Sequence, residues 1–426
     1  MTKISEIKPG KVEFQGWIEN LRDKKSMQFI VIRDLSGKIQ VTVIKEENPK
    51  IAEIFSSASL ESTVKITGTA VANEFVKLGG IEVIPETVEI TSLAEPFPIG
   101  PESSIDQRMD HRWIDLRTPK NQLIFQFQSY LVNAMREYLL NNDFIEIHTP
   151  KFIGTASESG AEVFEVKYFD TKAYLAQSPQ FYKQMAMSAG FERIFEIAPC
   201  FRAEKSHTKK HATEFTSFDV EFSYINSFQD VMALEAEMIT YGLKKTKEKF
   251  GEKVKEIFGV DIVVPTLPFP QMKLRDIYDE IEKRYGYTVP EEEKTDLTTE
   301  AERLCERLAK DKFNHEFLLV TDFPPQKRAF YHMRDNGILQ GYDLIWKGIE
   351  ITSGAQREHR IEELTKNAKE KGLAKDVETY LQFFKNGIPP HGGFAIGVDR
   401  LTMLLLNLPS LKEAQFLFRG PDRLTP

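Results

Sequence analysis

Phe201-Arg202-Ala203-Glu204, a polar run to His211-Ala212-Thr213-Glu214-Phe215, and then Thr216–Ser223: on this stretch, residues 201–223, the reading of the fold turns. Arg193–Phe201 reads as a strand, the polar run as a loop, and Thr216–Ser223 as the returning strand. Such a hairpin sets an arginine and an aromatic ring above one floor. A guanidinium forks onto phosphate oxygens, and a ring stacks on a purine; a nucleotide site needs both. A surface hairpin with ordinary salt bridges fits the same residues equally well, so the flanking sequence has to decide.

Downstream, Gly392-Gly393-Phe394-Ala395-Ile396-Gly397-Val398-Asp399-Arg400 reads as a glycine-rich strand, Gly393–Gly397, running into a helix over Asp399–Leu406. Glycines let a backbone approach a ligand closely. Arg400 stands at the helix start, where unpaired N–H groups also favour anions. No Gly-x-Gly-x-x-Gly turn is present, so this is not a dinucleotide fingerprint. Asp343, Glu350 and Ser353 fall on the neighbouring strand candidates Gly341–Trp346 and Ile349–Ser353, ahead of Gly354-Ala355-Gln356-Arg357. Two carboxylates and a hydroxyl suit a hard cation; a solvated acidic pair is the plainer alternative.

Upstream, Leu123, Phe127, Leu131, Met135 and Tyr138 recur at spacings of three and four, which predicts a helix stopped by Asn141-Asn142-Asp143. Phe144 to Pro150 reads as a strand ending at a proline. Further strand candidates are Glu162–Tyr168, Ala173–Leu175 and Glu316–Val320. Residues 226–315 are rich in Lys and Glu with helical spacing at Val231, Leu234 and Met238, which predicts surface helices; one more helix is predicted over Ala374–Asn386.

Residues 1–93 have a different texture. Lys11–Ile18, Phe29–Arg33, Ile39–Ile44, Thr63–Val71 and Ile81–Ile90 are short β-rich runs, with a helical candidate at Lys50–Ala58. Five strands and a helix suggest a small Greek-key barrel of the OB type; another small barrel or half-sandwich fits the pattern as well. Pro96, Pro98, Gly100 and Pro101 mark a linker. The predicted divisions are therefore 1–93, a hinge over 94–120, and a second module over 121–426, and the fold class is α+β.

The bulk numbers bound the function. At 426 residues with 41% hydrophobic and 28% charged side chains, the chain can bury two or three domains. A net charge of −8 argues against a simple nucleic-acid coat protein, so any nucleic-acid binding must be regional. Cys200 and Cys305 are not in a Cys-x-x-Cys pair, which argues against a thiolate zinc site and fits a reducing compartment. No apolar run approaches the roughly 18 residues of a membrane span, and the start of the chain has no apolar signal core. A cytoplasmic protein with no membrane association is the expectation.

The order helix–strand–Pro, Phe-Arg-x-Glu, then glycine-rich strand–Arg–helix resembles motifs 1, 2 and 3 of the class II aminoacyl-tRNA synthetases. Motif 1 would span about 123–150, motif 2 about 195–223, a helical insertion about 226–315, and motif 3 about 392–406. The resemblance implies a catalytic domain on an antiparallel sheet flanked by helices, pairing of two copies through motif 1, and an N-terminal OB barrel that reads an anticodon. Gln177-Ser178-Pro179-Gln180-Phe181-Tyr182-Lys183-Gln184 looks like the signature of the aspartyl enzymes, and the C-terminal half resembles their archaeal and eukaryotic type.

What the resemblance implies is specific. Arg202 would meet charge developing on the α-phosphoryl of ATP, Arg400 the γ-phosphate, and Phe215 the adenine, with Glu204, Lys210, His211 and Glu350 also about the nucleotide. Asp343, Glu350 and Ser353 would hold Mg²⁺. Lys183 and Arg357 would grip the side-chain carboxylate of L-aspartate, supported by Gln180, Asp219 and Ser353, while Ser157-Glu158 resembles a loop that closes over it. Arg22, Phe29 and Gln40 would contact the anticodon of tRNA(Asp), with tRNA(Asn) an open second partner. Phe29 as a barrel-core residue is the alternative reading. Lys210-His211 replaces the usual Arg-His, and Asp399-Arg400 the usual Glu-Arg.

Two cations facing an enclosed site need an anion. By that argument neutral asparagine would leave charge uncompensated, a penalty of roughly 3–5 kcal/mol, or about two to three orders of magnitude in affinity. The alternatives are an asparaginyl enzyme, opposed by Lys183 and Asp219, a non-catalytic RNA-binding paralogue, and an asparagine-synthetase-like relative, which would lack the barrel.

Overall fold

The computed structural model describes residues 1–156, 162–206, 208–373 and 375–426. By its internal contacts the chain divides into two units, Met1–Gln122 and Leu123–Pro426.

The first unit is built on β1 (Gly10–Asp23), β2 (Met27–Arg33), β3 (Lys38–Ile44), α1 (Pro49–Ser57), β4 (Thr63–Ala72) and β5 (Ile81–Ser92). The strands close into a barrel in the order β1-β2-β3-β5-β4. Closure removes the exposed edges that an open five-stranded sheet would carry. Alternation explains the core: Ile30 and Ile32 on β2 point inward to meet Phe14, Val41, Val64 and Val83. Phe29 lies on the other face of β2 and is half-buried, so the barrel-core reading of that ring fails. The proline-marked segment leads into two short helices, α2 (Ile105–Asp110) and α3 (Arg112–Asp115).

The second unit holds most of α4 (Pro119–Leu140) and an eight-stranded sheet. In chain order follow β6 (Ile145–Glu146), β7 (Phe152–Ile153), β8 (Glu165–Tyr168), β9 (Thr171–Leu175), α5 (Gln180–Ser188), β10 (Arg193–Phe201), β11 (Glu214–Ser223), α6 (Phe228–Phe258), β12 (Gln271–Lys273), α7 (Leu274–Tyr285), α8 (Thr299–Phe313) and β13 (Phe317–Thr321). After them come β14 (Arg334–Asp335), β15 (Ile338–Leu339), β16 (Gly341–Trp346), β17 (Ile349–Gln356), α9 (Ile361–Glu370), α10 (Glu378–Gln382), β18 (His391–Gly397), α11 (Val398–Leu405) and α12 (Leu411–Ala414). The sheet runs β12-β13-β16-β17-β18-β11-β10-β6. Its central pairings are antiparallel, and the two outermost, β12 with β13 and β10 with β6, are parallel.

Three expectations need correction. The Lys/Glu-rich segment is not all surface: α6 buries Val231, Met238, Leu243 and Val254 in the same core as Phe218, Val220 and Ile396. Its charges occupy the outer face of a helix long enough to cover the sheet. The same segment also contributes β12, an edge strand of the main sheet. The strand expected over Phe144–Pro150 shrinks to two residues, and the helix expected over Ala374–Asn386 to Glu378–Gln382, while Ile361–Glu370, not anticipated, is helical.

Candidate active site

The site is assembled from one face of β11, β18 and β17. On β11 the apolar Phe218, Val220 and Phe222 enter the core, so Ser217, Asp219, Glu221 and Ser223 must face the other way. Register then aligns Asp219 with Ala395, Ala395 with Ser353, and Ser353 with Asp343. The next row aligns Glu221 with Gly393 and Gly393 with Ala355. The small residues between the functional ones leave the space of a cavity of about 420 Å³. Gly393 cannot be enlarged: a Cβ there would lie 2.1 Å from the Val220 carbonyl oxygen and 2.3 Å from Glu221 Oε2.

One end of the cavity is a closed network of buried charges. Lys183, from α5, puts Nζ 2.8 Å from Asp219 and 3.4 Å from Glu221. Arg357 follows β17 and donates from Nε to Glu221 at 2.9 Å and from Nη2 at 3.3 Å. All four side chains are buried. Burial pushes the Glu221 carboxyl up, but the Arg357 and Lys183 charges outweigh it and leave it below its ordinary value. Ser217 donates to Asp219 at 2.6 Å. Gln180 donates to Gln184, and Gln184 meets His391 Nε2 at 2.9 Å. His391 Nδ1 lies 2.8 Å from the Pro389 carbonyl, so Nδ1 carries the proton and Nε2 accepts. Burial lowers the His391 pKa to about 4, keeping the ring neutral.

Glu221 was not among the residues expected here, yet it is the acid that both cations share. The signal was present as the polar alternation Ser217, Asp219, Glu221, Ser223. Its presence also corrects the charge argument for aspartate. Two cations are already matched by two carboxylates, so uncompensated positive charge does not reject asparagine. What remains is donor geometry: Lys and Arg only donate, so a carboxylate offers them two acceptors, whereas a carboxamide must turn one donor against them.

The other end is more open. Arg202, 43% exposed at its side chain, lies over the Phe215 ring at 5.3 Å. Glu204 lies 3.9 Å from Arg202 and 3.8 Å from His211. Burial lowers the His211 pKa, with Glu204 opposing and the neighbouring cations reinforcing the shift. Lys210 pairs with Glu302 at 3.1 Å. Arg400 donates to the Glu350 carbonyl at 2.7 Å.

Of the expected cation ligands, Glu350 and Ser353 line the cavity, while Asp343 lies beyond its lining, in a two-point pair with Arg328 at 2.6 and 2.9 Å. Burial and then the Asp343 charge raise the Glu350 carboxyl. Among the described residues no group of three or more His, Cys, Asp and Glu comes together as a metal cage. Cys200 also lines the cavity, but burial first, then Asp219, raises its thiol to about 12, so it is no nucleophile.

Gln180, Arg202, Glu204, Lys210, His211, Phe215, Asp219, Glu350, Ser353, Arg357 and Arg400 thus share one cavity, with Lys183 directly behind Asp219 and Glu221. Ser157 and Glu158 lie outside the described residues. In the barrel unit, Arg22 and Phe29 are opposed on β1 and β2, with the guanidinium 5.7 Å from the ring. Gln40 donates to Thr42 at 3.1 Å and to Glu82 at 3.2 Å.

Comparison with known proteins gives a consistent family. Residues 104–419 match the model for tRNA synthetases class II (D, K and N), and residues 12–91 that for the OB-fold nucleic acid binding domain. An aspartate–tRNA(Asp/Asn) ligase from Aeropyrum pernix is 40% identical, covering 98% of this chain and 96% of its own. An aspartate–tRNA(Asp) ligase from Pyrococcus furiosus is 37% identical over 99% and 97%. Among solved structures, an asparaginyl-tRNA synthetase from Pyrococcus horikoshii complexed with asparaginyl-adenylate superposes with a TM-score of 0.89 at 30% identity, covering 100% and 99%.

Proposed function

The chain belongs to the class II tRNA synthetases of the aspartate, lysine and asparagine group, and we propose that its reaction is the ATP-dependent joining of L-aspartate to tRNA. The observation that carries the choice of amino acid is the Lys183–Asp219–Glu221–Arg357 network, in which Arg357 lines one end of the cavity and Lys183 stands directly behind Asp219. In this reading the side-chain carboxylate of aspartate lies against Lys183 and Arg357, next to Gln180 and Ser353.

An oxygen of the substrate's α-carboxylate attacks the α-phosphorus of ATP, the bond from that phosphorus to the α,β-bridging oxygen breaks, and pyrophosphate leaves with the electron pair. Arg202 meets the charge developing on the α-phosphoryl, Phe215 carries the adenine, and Arg400 holds the far phosphates. Glu204, Lys210 and His211 border the same nucleotide. The terminal hydroxyl of tRNA then attacks the adenylate carbonyl, and AMP departs. No side chain becomes covalently attached; the protein supplies position and preorganised charge.

Mg²⁺ fits the donors present. The Glu350 carboxyl is raised by desolvation and then by the nearby Asp343 charge, and it lines the cavity together with Ser353, a hard-oxygen set that a divalent cation relieves. When bound, the ion supplies neutralisation of phosphate charge. Glu350 and Ser353 would hold it, with Asp343 behind them.

Arg22, Phe29 and Gln40 on the barrel are read as anticodon contacts, since a half-exposed ring beside an arginine is a stacking platform. The boundaries 1–93, 94–120 and 121–426 serve as anticodon barrel, hinge and catalytic domain, and two copies pair through the motif 1 region at α4. No helix among the described residues is long and apolar enough to cross a membrane. Both cysteines are buried and unpaired, which fits the reducing cytoplasm as the place of action.

Attachment of labelled aspartate and of labelled asparagine to tRNA transcripts with aspartate and asparagine anticodons tests the reading. Aspartate charging of the first transcript alone is expected from a discriminating enzyme, and of both from a relaxed one. Charging with asparagine instead would replace this reading by that of the asparaginyl neighbour.

A further inference from the structure

Glu302 belongs to none of the three motifs. It lies in the first turn of α8, within the segment inserted between β11 and β13. Its two carboxylate oxygens nevertheless reach two different parts of the nucleotide end. Oε2 pairs with Lys210 Nζ at 3.1 Å, and Oε1 accepts the backbone N–H of Glu350 at 2.5 Å. Arg400 bridges the same two residues from the opposite side. Its Nη1 donates to the Glu350 carbonyl at 2.7 Å, and its Nη2 lies 3.5 Å from the Lys210 carbonyl. Glu350 and Lys210 are thus each held at two points, once by Glu302 and once by Arg400.

The helix that carries Glu302 is seated for this. Gly348, in the turn between β16 and β17, has φ +72°, and a Cβ on it would lie 3.0 Å from the Arg303 Cα. The α8 backbone therefore lies against the turn that starts β17, and Glu302 has little freedom to be elsewhere. Its side chain is 12% exposed.

We propose that Glu302 is a positioning residue for the ATP site: by fixing both carbonyl partners of Arg400, and by holding the Lys210 loop to β17, it sets where the Arg400 guanidinium meets the phosphates. The inference deepens the synthetase reading above and rests on it. Glu302 itself is not placed against substrate. It acts through Arg400 and Lys210, so its removal lowers apparent affinity for ATP and leaves aspartate binding alone, because the Lys183–Glu221–Arg357 end does not share these partners.

The test is aspartate-dependent exchange of pyrophosphate into ATP, with the purified full chain, Glu302→Ala, Glu302→Gln, Lys210→Ala and the Glu302→Ala/Lys210→Ala pair. Glu302→Ala is expected to raise KM for ATP about tenfold, with kcat within about threefold and KM for aspartate unchanged. Glu302→Gln keeps an oxygen for the Glu350 N–H and should lie between. The double variant should lose less than the product of the two single effects. An ATP KM that stays put overturns the proposal. So does one that falls, since Glu302 would then compete with phosphate for Lys210, and so does a parallel rise in aspartate KM, which marks a merely structural role. If Glu302→Ala does not fold, Glu302→Gln decides by the same criteria. Absence of exchange in the unsubstituted chain, with active controls, would instead fail the synthetase reading itself.

Discussion

The two ends of one cavity solve opposite electrostatic problems. At the amino-acid end, two cations and two carboxylates are all buried, and each charge is matched before any ligand arrives. At the nucleotide end, Arg400 spends its donors on backbone carbonyls and Arg202 stands partly in solvent. A carbonyl satisfies a hydrogen bond without cancelling a charge. One end is therefore rigid and neutral, and selects by the direction of its donors. The other keeps the Arg202 and Arg400 guanidiniums available, and they attract whatever carries phosphate.

Substitution of Lys183 by Met should break the contrast most severely. Asp219 and Glu221 would lose a buried partner, at a stability cost of about 3–5 kcal/mol. Aspartate-dependent pyrophosphate exchange should fall by more than about 10³-fold, and a lowered melting temperature should accompany it. If the variant stays stable and active, the amino-acid end is not the matched network described. Arg400→Ala should act differently: a rise in ATP KM of roughly 30- to 150-fold, from about 2–3 kcal/mol of lost charged hydrogen bonding, with the melting temperature almost unchanged. A large loss of stability there would erase the distinction between the two ends.

Glu235 sharpens the comparison from beneath. Like Glu221 it is fully buried, but among the described residues no cation shifts it; the Tyr342 hydroxyl donates to it at 2.6 Å. Burial raises its pKa to about 7, where the cations leave Glu221 lowered. The folded value of Glu235 exceeds its ordinary 4.5, so its contribution to stability is complete below pH 4.5 and is lost as pH rises through 7. Glu235→Gln, which keeps an acceptor for Tyr342, should therefore melt above the parent at pH 8 by about 1–3 kcal/mol, and the gap should close by pH 5. Glu221 has the opposite sign: its contribution is present above pH 4.5 and lost as pH falls through its depressed value. Salt gives the smallest contrast. Raising ionic strength tenfold should raise the ATP KM a few-fold through screening of exposed charge and move the aspartate KM by less than about twofold.

Much of this was readable from residues alone, and the reasons differ from place to place. Arg193–Phe201 and Gly341–Trp346 were bounded as observed because each is a short apolar-rich run set off by flanking turns. The barrel strands were likewise legible, since β2 alternates cleanly between Ile30, Ile32 and the outward Phe29. Long α6 was misjudged because its Lys and Glu residues dominate the composition, while the buried stripe through Val231, Met238 and Leu243 occupies few positions. Glu221 was passed over because an acid two residues from Asp219 says nothing about its partners until register brings Lys183 and Arg357 to it. The Arg328 partner of Asp343 was not legible, because it lies 15 residues away in a loop without a motif.

Strand β17 has a further consequence, for what kinds of change the sequence can absorb over time. Glu350 opens it at one end of the cavity and Arg357 follows it at the other. At about 3.3 Å per residue the strand is a ruler of roughly 20 Å laid along the cavity floor. One residue inserted between Ser353 and Arg357 would turn Arg357 to the opposite face, and two would restore the face but overshoot Glu221 by nearly 7 Å. The connections around the sheet can lengthen or shorten freely, whereas these eight positions cannot change in number.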